Sequence, residues 1–178
     1  MFIKGYAYLE RGDIDQARSN AHQLKRLIDQ GMNKKAIKYY HYFLSMIELN
    51  KQDFSRSILH FKQALSSLSS QLVVSIFSFS NGQALFIEHI ALAYLKSGYL
   101  ERARQEYEKI ISLTAGWLLY GDIYAKSYYN LGRIQEQLGN QEKAIANYQK
   151  FLSLWKEADS GLPEVSHARQ RLDALKKK

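Results

Sequence analysis

Five histidines, His22, His41, His60, His89 and His167, are the side chains of this 178-residue chain best suited to acid–base or metal chemistry. No two of them stand three or four positions apart, the spacing that puts metal ligands on one helix face. Glu88 precedes His89, but no second histidine follows four residues on. The chain has no cysteine, which excludes disulfides and thiolate ligands. Its glycines fall where helices end rather than in a phosphate-cradling loop, and no serine occupies a nucleophile elbow. Asp122 and Asp159 read as cap or turn residues. The expectation is a protein without catalytic residues, metal or cofactor, and so not an enzyme. Contact surface is what the chain offers instead. Tyr39, Tyr40, Tyr42 and Phe43 follow one another too closely to share one helix face. Part of that cluster is expected to point away from its own partner helix, as an interface patch does.

The elements that position these residues follow from a recurring spacing of seven, five, four and three. It runs through Gly5, Gly12, Ala17, Ala21 and Leu24, and again through Ser45, Gln52, Ser57, Phe61 and Ala64. It returns as Ala91, Gly98, Ala103, Tyr107 and Ile110, and finally as Gly132, Gly139, Ala144, Tyr148 and Phe151. A helix–turn–helix unit repeated in this way cannot bury its apolar face alone, so copies must stack into a solenoid. Helices are predicted over 13–30, 34–50, 54–68, 83–97, 100–114, 122–138, 141–158 and 163–176, with Asp13 and Asp53 as N-caps. The single proline, Pro163, opens the last helix, where its missing N–H costs nothing. That helix is charged on one side and apolar on the other, as a capping helix should be. Residues 69–83 have strand propensity, but a lone strand would lack a partner. They read as a helix extension ending in a turn at Asn81-Gly82. The small or aromatic residues of the spacing, Gly5, Ala17, Ser45, Ser57, Ala91, Ala103, Gly132, Ala144 and Tyr148, are expected to form the repeat core. Small side chains at Gly132 and Ala144 would let two helices cross closely.

The net charge of +8 is unevenly placed. Residues 1–38 carry +4, residues 163–178 carry +3 and the long middle carries +1. Basic ends allow electrostatic binding to nucleic acid or an anionic surface as an alternative function, although solvated helix faces account for the same charge and nucleic acid is not the expected partner. No apolar run reaches the roughly 20 residues of a membrane span. No secretory signal opens the chain, so a cytoplasmic location is expected and no membrane partner.

On these residues the sequence resembles the tetratricopeptide repeat (TPR) family. Tyr128-Tyr129-Asn130-Leu131-Gly132, Gly139-Asn140-Gln141-Glu142-Lys143-Ala144-Ile145 and Tyr148 match that family's pattern closely. The copy from Ala91 to Ile110 matches well, whereas the second copy has serine at both small positions and Gln52 for the turn glycine. The copies lie 40, 46 and 41 residues apart, against the family's usual 34. The resemblance implies an all-α fold, a right-handed α-solenoid of antiparallel helix pairs with a C-terminal capping helix. It would form one domain over 1–178, with units at about 1–31, 34–69, 83–115 and 122–158 and the cap at 163–176. The run from Tyr148 to Asp159, with Leu162-Pro163-Glu164 and Ala168-Arg169-Gln170-Arg171-Leu172, is similar to the closing segment of bacterial multidomain TPR proteins. It implies that the chain is the C-terminal part of a larger regulatory protein.

The resemblance further implies a protein-interaction scaffold whose first helices line a concave groove for a partner's peptide or helix. Aligning the copies places Tyr6, Tyr39, Tyr42, Phe43 and Met46 in that groove, with Glu88 and Leu92 from the third copy. Lys126, Tyr129, Asn130 and Arg133 come from the fourth. An aromatic end and a polar, partly basic end would suit an amphipathic helix or an extended peptide with an acidic end. Lys126, Asn130 and Arg133 resemble the carboxylate-holding residues of chaperone-binding family members, though the first-repeat counterparts are absent or apolar. Self-association through the N-terminal face is a further expectation for the partner.

Overall fold

The computed structural model describes residues 2–31, 33–67, 83–113, 121–156 and 162–177. The chain is all-α, and no strand occurs among the described residues. The helices are α1 (Phe2–Glu10), α2 (Ile14–Asp29), α3 (Ile37–Asn50), α4 (Phe54–Ser66), α5 (Gln83–Lys96), α6 (Leu100–Ser112), α7 (Gly121–Gln137), α8 (Gln141–Leu154) and α9 (Pro163–Lys176). A 3-10 turn, Lys34–Ala36, leads into α3. The expected extension over 69–82 and its turn at Asn81-Gly82 lie outside the described residues, as does Asp159. The helices belong to the α-solenoid class. They group into two compact units, Met1–Ser97 and Gly98–Lys178.

Helix boundaries follow from local chemistry. The side chain of Asp13 accepts a hydrogen bond from the Gln16 N–H at 3.2 Å, and Asp53 accepts one from Arg56 N–H at 3.1 Å. Each satisfies one of the free N–H groups at a helix start. The turns before α2, α4 and α8 close in the same way. The N–H of Asp13 donates to Tyr8 O at 2.9 Å, that of Asp53 to Glu48 O at 2.9 Å, and that of Asn140 to Gln135 O at 2.8 Å. This six-residue closure requires a left-handed residue just before the donor. Gly12 and Gly139 supply it with φ of 73° and 78°, but in the second copy Gln52 must adopt φ 62°.

In the first unit, α1 packs on α2, α2 on α3, α3 on α4 and α4 on α5. Its centre is aromatic. Tyr42 and Phe43 are fully buried, and the Tyr42 ring meets Phe61 at 6.1 Å and Phe86 at 5.3 Å between centroids. Gly5 belongs to this core for a steric reason: a Cβ there would stand 2.6 Å from Phe43 Cζ and 2.7 Å from Asn20 Oδ1. Ala17, Ser45, Ser57 and Ala91 are all fully buried. Ser45 Oγ donates to Tyr42 O at 2.6 Å, whereas Ser57 Oγ is buried with no hydrogen-bond partner.

In the second unit, α6 packs on α7, α7 on α8 and α8 on α9. Ala103, Ala144, Tyr148 and Phe151 are fully buried. A Cβ on Gly132 would lie 2.8 Å from Tyr148 Cδ1 and Cε1. Gly132 therefore receives an aromatic ring from α8, rather than allowing a bare backbone crossing opposite Ala144. The last helix contributes Val165, Ala168 and Leu175 to the core that holds Ala144, Tyr148 and Phe151. Gln141 Nε2 donates to Leu175 O at 2.6 Å, tying the end of α9 to the start of α8.

Candidate functional site

The groove residues expected in the first unit do not share one environment. Tyr42 and Phe43 are core residues, not groove residues. On α3, Tyr42 falls on the side that meets α4 and α5, and Phe43 lies against Gly5 of α1; both rings are removed from water. Tyr39, Met46, Glu88 and Leu92 are half-buried, and Tyr6 is exposed at 40%. Tyr39 carries the Lys38 ammonium 5.1 Å from its ring centroid. Partial burial holds the Tyr6 hydroxyl above its ordinary range, with help from its hydrogen bond to Glu10 and the charges of Glu10 and Glu88. The most exposed member of this set is therefore Tyr6, a tyrosine that feels the charges of Glu10 and Glu88.

The same unit holds an unforeseen histidine contact. His41 on α3 and His60 on α4 stack with centroids 5.7 Å apart. The Nδ1 of His41 is buried without a hydrogen-bond partner. Desolvation first, then His60 and Lys25, hold His41 below the usual histidine range. Nineteen residues of sequence separate the two, so no single-helix spacing could have revealed the pair.

In the second unit the four expected residues come together. Lys126, Tyr129, Asn130 and Arg133 line an open cleft of about 480 Å³, whose other wall is Pro163, Glu164 and His167 of α9. The spacing of the first four, on one side of α7, follows the 3.6-residue period. The Arg133 guanidinium lies 5.6 Å from the Tyr129 ring centroid, and its Nη1 donates to Asn130 Oδ1 at 3.4 Å. Tyr129 Oη stands 3.2 Å from His167 Nδ1, and the two rings meet edge-on at 5.6 Å. Neither Lys126 nor Arg133 makes an ion pair among the described residues.

A second hollow, about 380 Å³, adjoins the first and shares Arg133 and His167, with Glu136, Gln137 and Tyr148 completing it. Its carboxylate is already engaged. Arg171 of α9 forms a bidentate pair with Glu136 through Nε at 3.2 Å and through Nη2, and Tyr148 Oη donates to Glu136 Oε2 at 3.1 Å. The Arg171 hydrogen bond holds the Glu136 carboxyl below its usual range. Burial raises the Tyr148 hydroxyl, and the Glu136 charge adds to that. Desolvation and the charges of Arg133 and Arg171 keep His167 below the ordinary histidine value. The positive field in the cleft therefore comes from Lys126 and Arg133, and Glu164 is the acid opposite them.

Sequence reasoning placed 163–176 as a cap and missed its part in the site. A signal was present: Glu164, His167 and Arg171 recur at three and four positions, on the face that α9 turns toward α7. Among the described residues, no helix is long and apolar enough to cross a membrane.

Comparison with known proteins is consistent with this architecture. Residues 87–116 and 125–154 match the family described as Tetratricopeptide repeat. The first match takes in most of α5 with α6, and the second most of α7 with α8. No curated protein matches the chain. Among solved structures, the crystal structure of the apo form of RapI is similar at a TM-score of 0.77 and 15% identity, over 99% of this chain and 61% of that chain. The chain thus spans 61% of that RapI chain, and the likeness is one of fold.

Proposed function

Taking the chain as one built from tetratricopeptide repeats, we propose that it is a non-enzymatic protein-interaction scaffold that seats an acidic end of a partner peptide in the α7–α9 cleft. The observation that carries this reading is the convergence of Lys126, Asn130 and Arg133, an amide and two cations that make no ion pair among the described residues, on one open cleft. A carboxylate suits this arrangement because a guanidinium offers it paired donors and an ammonium offers charge. The Arg133 guanidinium already rests over the Tyr129 ring, so fewer rotamers are lost on binding. Glu164 on the facing wall repels a second carboxylate, so the peptide presents one anionic group there, flanked by neutral or basic residues.

The test is a random-peptide display selection against the whole chain, run in parallel on Arg133→Glu. The reading predicts enrichment of peptides with an acidic residue or a free C-terminal carboxylate, and loss of that enrichment on Arg133→Glu with helical circular dichroism unchanged. Enriched peptides without acidic bias, or with equal capture by the variant, would contradict it.

A further inference from the structure

The contact between Tyr129 and His167 joins the two helices that form the cleft, and it is also the wall a ligand would meet. Every charged or titratable group facing His167 can be named. Among the described residues, Lys126, Tyr129, Arg133 and Glu136 come from α7, Tyr148 from α8, and Glu164 and Arg171 from its own helix. Arg171 and Tyr148 already satisfy Glu136. Arg133 makes no ion pair among the described residues, and with Arg171 it already disfavours the charged imidazole, so a proton on His167 in the empty cleft adds charge to a site that repels it. A bound carboxylate reverses that balance, since it places a negative charge against both groups.

Resting on the peptide-carboxylate reading above, we propose that the cleft binds its anionic group together with a proton on His167, so that capture tightens as pH falls. The hydrogen bond at 3.2 Å shows how the proton would be used. When His167 is neutral with its proton on Nε2, Tyr129 spends its O–H on Nδ1. Once His167 is protonated, Nδ1 donates to Tyr129 Oη, and the freed O–H turns into the cleft to meet the carboxylate. One proton thus adds a positive charge and one further donor.

The probe is an acetylated Lys-Leu-Leu-Ala peptide with a free C-terminal carboxylate, a single anionic group flanked by neutral and basic residues. Its one acid stays ionised from pH 6 to 8, because an α-carboxyl titrates at about 3.3–3.7. Its affinity for the full chain is measured by calorimetry at pH 8 and pH 6, for the wild type, His167→Gln and Tyr129→Phe. The expected result is a gain of about tenfold at pH 6 for the wild type, the scale of one added charge near the ligand. His167→Gln should show a flat profile, and Tyr129→Phe should keep only part of the gain. NMR of the wild type should show the His167 imidazole titrating at higher pH when the peptide is present. Binding that is equal at both pH values, or a slope that survives His167→Gln, overturns the proton linkage and leaves the carboxylate reading standing. No binding at either pH overturns both.

Discussion

At the scale of single residues, the repeat works through contacts between a glycine and a ring. Gly132 has no Cβ because the Tyr148 ring already occupies its place, and Gly5 stands in the same relation to Phe43. Gly132→Ala should therefore destabilise the second unit by about 1–3 kcal/mol, because the ring body and not a flexible chain end must move. Urea denaturation checks this, and an unchanged midpoint would contradict it. The sequence showed that a small residue belongs at these positions but not what rests on it, since periodicity carries no information about which ring crosses which backbone. It erred at Tyr42 and Phe43 for a related reason. An aromatic on a first helix has the same type whether it faces a groove or the next helix pair, and only packing separates the two.

At the scale of elements, the second copy departs from the other copies at the places where its chemistry is least favourable. Gln52 takes a left-handed conformation that costs a residue with a Cβ about 1–2 kcal/mol, and Ser57 buries a hydroxyl that has no partner. Restoring the repeat pattern with Gln52→Gly and Ser57→Ala should each stabilise the α3–α4 pair by about 0.5–1 kcal/mol, read as a higher urea midpoint. A loss of stability in either variant would show that the native residue makes a contact of its own. Helix positions were legible to within a few residues, because Asp caps and turn glycines are local signals. The contribution of α9 to the site was not, because a helix with one apolar stripe looks the same whether its flank is solvated or forms a cleft wall. Arg171→Ala should expose this coupling. Without the Glu136 pair α9 loses its anchor beside His167, and peptide capture should weaken while overall helicity persists.

At the scale of the whole molecule, His41, His89 and His167 are all held below the ordinary histidine range, chiefly by desolvation. A folded value below the unfolded one means that the unfolded chain binds more protons in between, so stability rises with pH there. The free energy of unfolding should accordingly be full above about pH 7 and fall as pH drops through 6.5, the unfolded histidine value. Denaturation at pH 7.5 and pH 5 measures it, and His41→Gln should flatten part of the fall. A chain more stable at pH 5 would contradict this account. The sequence had already placed +7 of the net charge of +8 in the two ends. Only the structure separates the cations that make ion pairs, such as Arg104 with Glu101 and Glu108, from Lys126 and Arg133, which make none among the described residues. That distinction makes the cleft of the second unit, rather than the basic ends, the favoured site.

Chemical-shift mapping with a display-enriched peptide on the isotope-labelled chain tests that assignment most directly. The account predicts that the largest perturbations fall on Lys126, Tyr129, Asn130, Arg133 and His167. Perturbations centred instead on Tyr6 and Glu88, with the α7–α9 cleft unmoved, would contradict it.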